Sequence, residues 1–303
     1  DMGKHPATHT QPGWSFFVAS GTNFEAATVH RDVLTVRVDR KTATDEKLWH
    51  ERASELSRNV SGVVVGPFHD VNVHLERVLS KLKVPTASWH HPVDDDPPLK
   101  VDRVLPDHEA GAGLLVDELV TRGCRRIVQI APRNSSLPWW PMRRVGYEQA
   151  MRRHDLQIRP PVEVRPPLHW VPPDARPDDF DEVSRNIAGH LIEQLTGPDR
   201  ADALLVPGDA LVPVVARACR LFGLEPNRDV LLAGYDNLLD GHWALEHEPT
   251  RPIVTVDKHN FDIGRGLVRT LTARLAGEFG PIDGEPHTEF VEPKLVFNES
   301  KRD

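Results

Sequence analysis

The stretch 201–223, ADALLVPGDALVPVVARACRLFG, contains one complete strand-turn-helix unit. Ala203–Pro207 is a short apolar run with the length and composition of a buried strand. Leu211–Phe222 repeats apolar residues at helical spacing, and Gly223 follows it as a residue suited to end a helix. A buried strand followed directly by an amphipathic helix is typical of the βα units that build parallel sheets. The stretch therefore predicts an α/β fold.

The same alternation extends in both directions, from residue 33 to residue 276. The other predicted strands are Val33–Asp39, Gly62–Gly66, Thr86–Trp89, Arg126–Ala131, Val230–Tyr235 and Ile253–Val256. The other predicted helices are Thr44–Ser57, Val71–Leu82, His108–Arg122, Met142–His154, Asp179–Leu195 and Phe261–Ala276. With 303 residues and 34.0 kDa, the chain is long enough for two such domains.

Two segments interrupt the pattern. Trp14–Ser20 has the composition of a strand, yet only Gly21–Asp32 separates it from the next one, which leaves room for a stunted helix at most. Either the first crossover is abbreviated or further residues precede it. Arg159–Asp178 contains seven prolines, which resist helix formation, so we predict a strand followed by a long surface loop.

Composition excludes several classes of protein. Hydrophobic residues make up 39% and charged residues 27%, which indicates a folded globular chain. The net charge of −8 and the lack of a long basic block argue against DNA binding by this chain. The sequence contains neither an apolar run of membrane-spanning length nor a recognisable signal peptide. Its two cysteines, Cys124 and Cys219, form no disulfide framework, so a reducing, cytoplasmic location is expected.

Segments along the chain resemble, in the same order, motifs of the effector-binding region of LacI/GalR-type transcription regulators. They are Gly62–Pro67 (GVVVGP), Val84–Thr86 (VPT), Asp107–Ile130 (D…G…L…G…I), Arg143–Met151 (RRVGYEQAM), Val206–Ala210 (VPGDA, with Gly where the motif has Asn), Ala233–Asn237 (AGYDN), Thr255–Asp257 followed by Ile263–Gly264 (the motif ttv-x-q…iG), and Pro293–Val296 with Glu299–Ser300.

The resemblance implies two doubly wound parallel-sheet lobes joined by a three-strand hinge, as in type I periplasmic binding proteins. It places residues 1–131 plus 257–278 in the first lobe and residues 132–256 plus 279–303 in the second. It implies a ligand-sensing, homodimeric part of a transcription regulator, with a sugar-like effector in the cleft between the lobes. Operator DNA would be bound only through a head not present in this chain. The alternative is a free sugar-binding protein of a transport system.

Two charged residues are the leading candidates for ligand contact. Arg143 begins a helix, and its guanidinium can hold two ligand oxygens at once; a solvated surface position is the alternative. Asp236 follows an apolar strand, and its carboxylate can accept two sugar hydroxyls; a turn Asp is the alternative. We expect Arg143→Ala and Asp236→Ala to weaken ligand binding with little change in the melting temperature of the free chain.

Four further candidates follow strands. Asp107 either caps the next helix or contacts ligand. Gly208 and Asp209 form a strand-to-helix turn whose backbone N–H groups can bind ligand oxygens, although Asp209 can also be only a cap. Phe68 is either an apolar wall for the ligand or a partly buried loop residue.

Aromatic residues complete the candidate site. Trp89 and Trp139 fall in or near loops, where an indole either stacks on a sugar ring or simply packs. His90 is a possible ligand contact; adjacent His residues beside an Asp-rich turn (Asp94–Asp96) make a poor metal site, so neither metal nor cofactor is expected. The sequence lacks the common hydrolase, P-loop, dinucleotide-binding and zinc-protease motifs, so no enzymatic activity is expected.

Overall fold

The computed structural model describes residues 13–36, 45–66, 69–91, 99–133, 137–164 and 177–298. Its elements, in chain order, are α1 Trp14–Thr28, α2 Glu46–Ser57, β1 Val63–Val65, α3 His69–Lys81, β2 Thr86–Ser88, β3 Asp102–Pro106, α4 His108–Thr121, β4 Ile127–Pro132, α5 Trp140–Arg153, β5 Val162–Val164, α6 Pro177–Leu195, β6 Ala203–Leu205, α7 Val212–Leu221, β7 Leu231–Ala233, β8 Val254–Asp257, α8 Asn260–Leu275, β9 Thr288–Val291 and β10 Lys294–Phe297. The predicted α/β class with parallel sheets is confirmed.

The chain divides into two compact units, each assembled from separate segments. Unit 1 contains the described residues of 108–258 and 293–303, and unit 2 contains those of 12–107 and 259–292. The predicted boundaries at 131, 256 and 278 therefore differ from these positions. Residues 108–131 lie in unit 1 because α4 packs on α5 and because β4 pairs with β5 and β6. The packing is close at Gly146, where a Cβ would lie 2.0 Å from the Glu109 carbonyl oxygen.

Unit 2 contains a four-stranded parallel sheet in the order β1-β2-β3-β9. One apolar cluster joins α1 and α8 to β2 and β3. A second cluster joins α2 and α3 to β1.

The predicted strand at Trp14–Ser20 is wrong, because these residues form the first half of α1. The buried residues Val18, Thr22 and Ala26 recur every four positions, which is the spacing of one helical face. This face packs on α8, and at Gly21 a Cβ would meet the Phe261 carbonyl oxygen at 1.9 Å. The helix-helix contact thus determines the structure of a segment whose composition suits a strand.

The predicted strand Val33–Asp39 has no strand pairing over residues 33–36, and residues 37–39 lie outside the described ranges. Residues 33–36 line a cavity of about 1710 Å³ within unit 2. Strand β1 and residues of α1, α2, α3 and α8 also line it. Within the described residues, β1 is thus an edge strand whose outer side faces this cavity.

Unit 1 contains a six-stranded sheet in the order β10-β8-β7-β6-β4-β5, in which only β10 is antiparallel to its neighbour. One apolar cluster involves α6 and α7, and another involves α4 and α5, so helices supply the apolar partners of this sheet. Strands β6, β7 and β8 are parallel neighbours, and their carboxyl ends therefore lie along one edge. Among the helices that the structure describes, none combines the length and apolar character needed to cross a bilayer.

Candidate functional site

The carboxyl edge of the unit 1 sheet gathers a set of polar side chains. Gly208 and Asp209 follow β6, Tyr235 and Asp236 follow β7, and Lys258 follows β8. Ligands of parallel α/β sheets bind at this edge, where the loops after neighbouring strands converge.

Arg143, in the first turn of α5, is the centre of this set. Its guanidinium carbon lies 3.4 Å from the centre of the Tyr235 ring and 4.1 Å from that of the Trp139 ring. Nη1 donates a hydrogen bond of 2.7 Å to the Pro207 carbonyl oxygen. The side chain is 5% exposed, and burial lowers the pKa of the guanidinium although Tyr235 and Asp236 oppose that shift. Arg143 is therefore a fixed, desolvated cation.

His108, the first residue of α4, fixes the other side of the guanidinium. Nε of Arg143 lies 3.3 Å from Nδ1 of His108, and the Tyr235 hydroxyl lies 3.2 Å from the same nitrogen. Because arginine only donates, Nδ1 must accept, which assigns the proton of the neutral ring to Nε2. The imidazole is buried and helps to hold Arg143 and Tyr235 in place.

Asp236 provides the carboxylate of the set. Its Oδ1 lies 2.8 Å from Nζ of Lys258 and 3.6 Å from Nη2 of Arg143. Burial would raise the pKa of Asp236, but the charges of Lys258 and Arg143 outweigh burial and hold that pKa below its usual range. The backbone of Asp236 has a φ of 96°, which is rare outside glycine and common where a turn orients a functional side chain.

Asp209 stabilises the turns around the set. Thr255 Oγ1 lies 2.8 and 2.9 Å from its two carboxylate oxygens, and the Leu238 N–H donates to Oδ2. The side chain is 2% exposed, and burial raises its pKa to about 7. Asp209 accepts internal hydrogen bonds and thereby ties the turn after β6 to β8.

No group in this arrangement has the character of an activated nucleophile. Both cysteines are free and buried, and burial raises the pKa of Cys124 to about 11 and that of Cys219 to about 12. Among the described residues, no cluster of three or more His, Cys, Asp or Glu side chains could hold a metal ion. The geometry supplies fixed charges, hydrogen-bond donors and aromatic faces, which are the components of a binding site for a polar molecule.

The periplasmic binding protein-like domain family matches residues 116–300, more than half of the sequence. The chain belongs to this family. The match includes Arg143, Asp209, Asp236 and Lys258, so the polar set at the sheet edge lies on the family's domain. None of the curated proteins matches the chain.

Solved structures of family relatives share the fold. A LacI-family regulatory protein from Chloroflexus aggregans is 23% identical, with a TM-score of 0.71 over 95% of this chain and 94% of that one. The transcriptional regulator CelR in complex with cellobiose is 20% identical, with a TM-score of 0.65 over 93% and 77%. A LacI-family regulator from Enterococcus faecium with bound ribose is 16% identical, with a TM-score of 0.62 over 93% and 92%. The resemblance to LacI-type effector-binding regions is thus confirmed, at identities that establish the fold.

Five of the predicted ligand residues of this chain lie in unit 1. They are Arg143, Asp236, Gly208, Asp209 and Trp139. Direct contacts join Arg143 to Trp139 and to Asp236, so sequence reasoning selected three members of one cluster. Asp209 points to Thr255 and Leu238, which favours the structural alternative for that carboxylate.

The remaining predicted residues lie elsewhere. Trp89 is buried in unit 2, with its ring 4.4 Å from that of Trp14, which favours simple packing. His90, also buried in unit 2, has its Nε2 3.1 Å from the Gly66 carbonyl oxygen. Asp107 precedes α4, and its N–H donates to Val291 of β9. Phe68 and the turn residues Asp94–Asp96 lie outside the described residues.

Sequence reasoning missed three residues of the cluster: His108, Tyr235 and Lys258. Tyr235 was quoted only as part of the AGYDN motif, and His108 only as the start of a helix. Lys258 had the clearest available signal, because it stands directly after an apolar strand, β8, whose carboxyl end lies at the same edge as those of β6 and β7.

Proposed function

We propose that this chain is the ligand-sensing part of a LacI-type bacterial transcription regulator and that it binds a small sugar-like effector without chemically changing it. The observation that carries the proposal is Arg143, buried between Tyr235 and Trp139 and beside Asp236 at the carboxyl edge of the unit 1 sheet. A guanidinium and a carboxylate can hold sugar hydroxyls, and the half-buried Trp139 ring offers an aromatic surface suited to the C–H side of a sugar ring.

The relatives support this ligand class, since cellobiose and ribose are bound in two of them. DNA recognition is assigned to a part of the regulator other than this domain, because the net charge of −8 opposes binding to phosphate. We also propose a cytoplasmic homodimer. Two free, buried cysteines fit a reducing compartment, and sedimentation analysis of the purified chain tests the dimer.

A thermal-shift panel tests the ligand class. Monosaccharides, disaccharides and sugar acids are compared with nucleobases and amino acids at equal concentrations. A ligand that binds only the folded chain adds about 2.7 kcal/mol at a hundred times its dissociation constant, so a true effector raises the melting temperature clearly. Shifts with nucleobases or amino acids and none with any carbohydrate would refute the proposed class.

A fluorescence-anisotropy titration with duplex DNA tests whether DNA recognition belongs to another part of the regulator. We expect no submicromolar, salt-dependent binding by this chain. Such binding would contradict the assignment of DNA recognition to another part of the regulator.

The alternative function is that of a solute-binding protein of a transport system. It predicts the same carbohydrate binding but a secreted protein, and cell fractionation distinguishes the two.

A further inference from the structure

Among the residues that the structure describes, two buried cations of the unit 1 site face one ion-paired carboxylate. Lys258 and Arg143 are 6% and 5% exposed, and both approach the same carboxylate oxygen, Asp236 Oδ1. Two desolvated cations thus share one anion. A buried charge is costly unless an opposite charge and hydrogen bonds compensate it.

Asp209 offsets this imbalance only in part: its charge opposes the lowering of the Arg143 pKa, but within the described residues it forms no ion pair with either cation. Asp209 accepts hydrogen bonds from Thr255 and Leu238, and its pKa of about 7 leaves it only partly ionised at neutral pH. Asp257, the last residue of β8, accepts a hydrogen bond from Asn237 at 3.1 Å. In the described part of the chain, Asp236 is the carboxylate that forms ion pairs with Lys258 and Arg143.

Donor capacity also remains on both cations. Arg143 uses Nη1 for Pro207 and Nε for His108, and a hydrogen bond with Tyr235 also stabilises its charge, whereas the nearest carboxylate oxygen in the described residues is 3.6 Å from Nη2. Lys258 has three N–H donors, and its ion pair with Asp236 accounts for one of them. The two groups together can donate to a further anionic group next to Asp236.

We propose that the effector is an acidic carbohydrate, whose carboxylate or phosphate is held by Lys258 and Arg143 while Asp236 accepts a hydroxyl. This inference rests on the proposed function and narrows its ligand class. It follows from the geometry of this site, in which Lys258 and Arg143 approach one carboxylate oxygen of Asp236. An anionic ligand beside Asp236 would give the two cations, Lys258 and Arg143, two anionic partners.

Matched pairs of sugars test the inference on the intact chain. Titration calorimetry compares glucose with glucuronate and glucose 6-phosphate, and galactose with galacturonate, with inorganic phosphate as a ligand lacking the sugar. The acidic member of at least one pair should bind about tenfold or more tightly than its neutral parent, the gain from one charge-assisted contact. The carboxylate and phosphate arms identify which anion is recognised.

Substitution of Lys258 localises the effect. Lys258→Gln should abolish the preference for the acid over its neutral parent, whereas Lys258→Arg, which keeps the charge, should retain that preference. Lys294→Gln, at an exposed lysine of β10, is the matched control and should behave as the parent. Circular dichroism verifies that each variant is folded.

The outcomes separate this inference from the proposed function. Neutral sugars that bind the parent as tightly as their acids would overturn the inference and leave the carbohydrate sensor intact. Absence of binding by all carbohydrates would overturn both. An acid preference unchanged in Lys258→Gln would refute the assignment to Lys258.

Discussion

The guanidinium carbon of Arg143 lies 3.4 Å from the centre of the Tyr235 ring, so a buried cation rests on an aromatic face. This contact joins the first turn of α5 to the loop after β7. A desolvated cation–π contact contributes about 2 kcal/mol, and Arg143 also donates a buried hydrogen bond to Pro207. The residue expected to bind ligand is therefore also a structural link within unit 1.

This dual role changes the expectation for Arg143→Ala. The free chain should lose about 2 kcal/mol of unfolding free energy, since the substitution removes the stacked cation and leaves the Pro207 carbonyl without its donor. Urea unfolding of the ligand-free chain measures the loss. Arg152→Ala is the matched control, because Arg152 lies in the same helix, is exposed and pairs with Glu148. Equal stability of the two variants would contradict the structural role.

Asp236→Ala should likewise destabilise the free chain, contrary to the expectation from sequence. Its removal leaves Lys258 and Arg143 as two neighbouring buried cations, a situation that costs about 3 kcal/mol or more. The double variant Asp236→Ala, Lys258→Ala should regain part of that loss, because one of the uncompensated charges is gone. A double-mutant cycle by urea unfolding measures this coupling. Strict additivity would show that the ion pair makes no contribution.

Asp209 gives the chain a pH dependence of known sign. Its folded pKa of about 7 lies above its ordinary value of 3.8, so the folded state binds this proton more tightly. The resulting stabilisation is fully present below pH 4 and is lost as pH rises through 7. The melting temperature of the parent, measured relative to Asp209→Asn, should therefore fall between about pH 4 and pH 7. A difference between the two proteins that stays constant over this range would contradict the raised pKa.

Within the described residues no strand pairs with the outer side of β1, and hydrogen exchange tests whether that side is open. The Val63 N–H donates to Pro85 beside β2, and alternate residues of a strand point to opposite sides, so the Val64 N–H faces the cavity edge. Val104 lies in β3, between β2 and β9. We expect the amide of Val64 to exchange faster than that of Val104. Equal protection of the two amides would mean that another strand covers β1.

Local pattern was sufficient to predict the units in which one strand leads directly into one helix. The predicted strand Ala203–Pro207 corresponds to β6, and the predicted helix Leu211–Phe222 corresponds to α7. Both could be predicted because the apolar residues of each segment follow the pattern of the element that it forms. Strand β3 was missed because its sequence contains Asp102 and Arg103, which look exposed. In the fold, Asp102 pairs with Arg274 and Arg103 with Glu76, so both charges are buried by partners distant in sequence.

The same limitation applies to the site. Arg143 and Asp236 could be selected because each stands at the end of an element within a recognisable motif. Lys258 could not be selected by pattern alone, since its significance depends on the carboxylate of Asp236, which a different strand positions. Charge balance at a site is a property of the folded chain.

The most direct test of the central claim is titration calorimetry of the parent, Arg143→Ala and Arg144→Ala with the carbohydrate that gives the largest thermal shift. Loss of one partner of a desolvated charged contact weakens binding by about 2 to 4 kcal/mol. We expect a loss of this size for Arg143→Ala, with the circular dichroism of a folded chain, and none for Arg144→Ala. If folded Arg143→Ala bound the carbohydrate as tightly as the parent, the effector site would not be at the carboxyl edge of the unit 1 sheet.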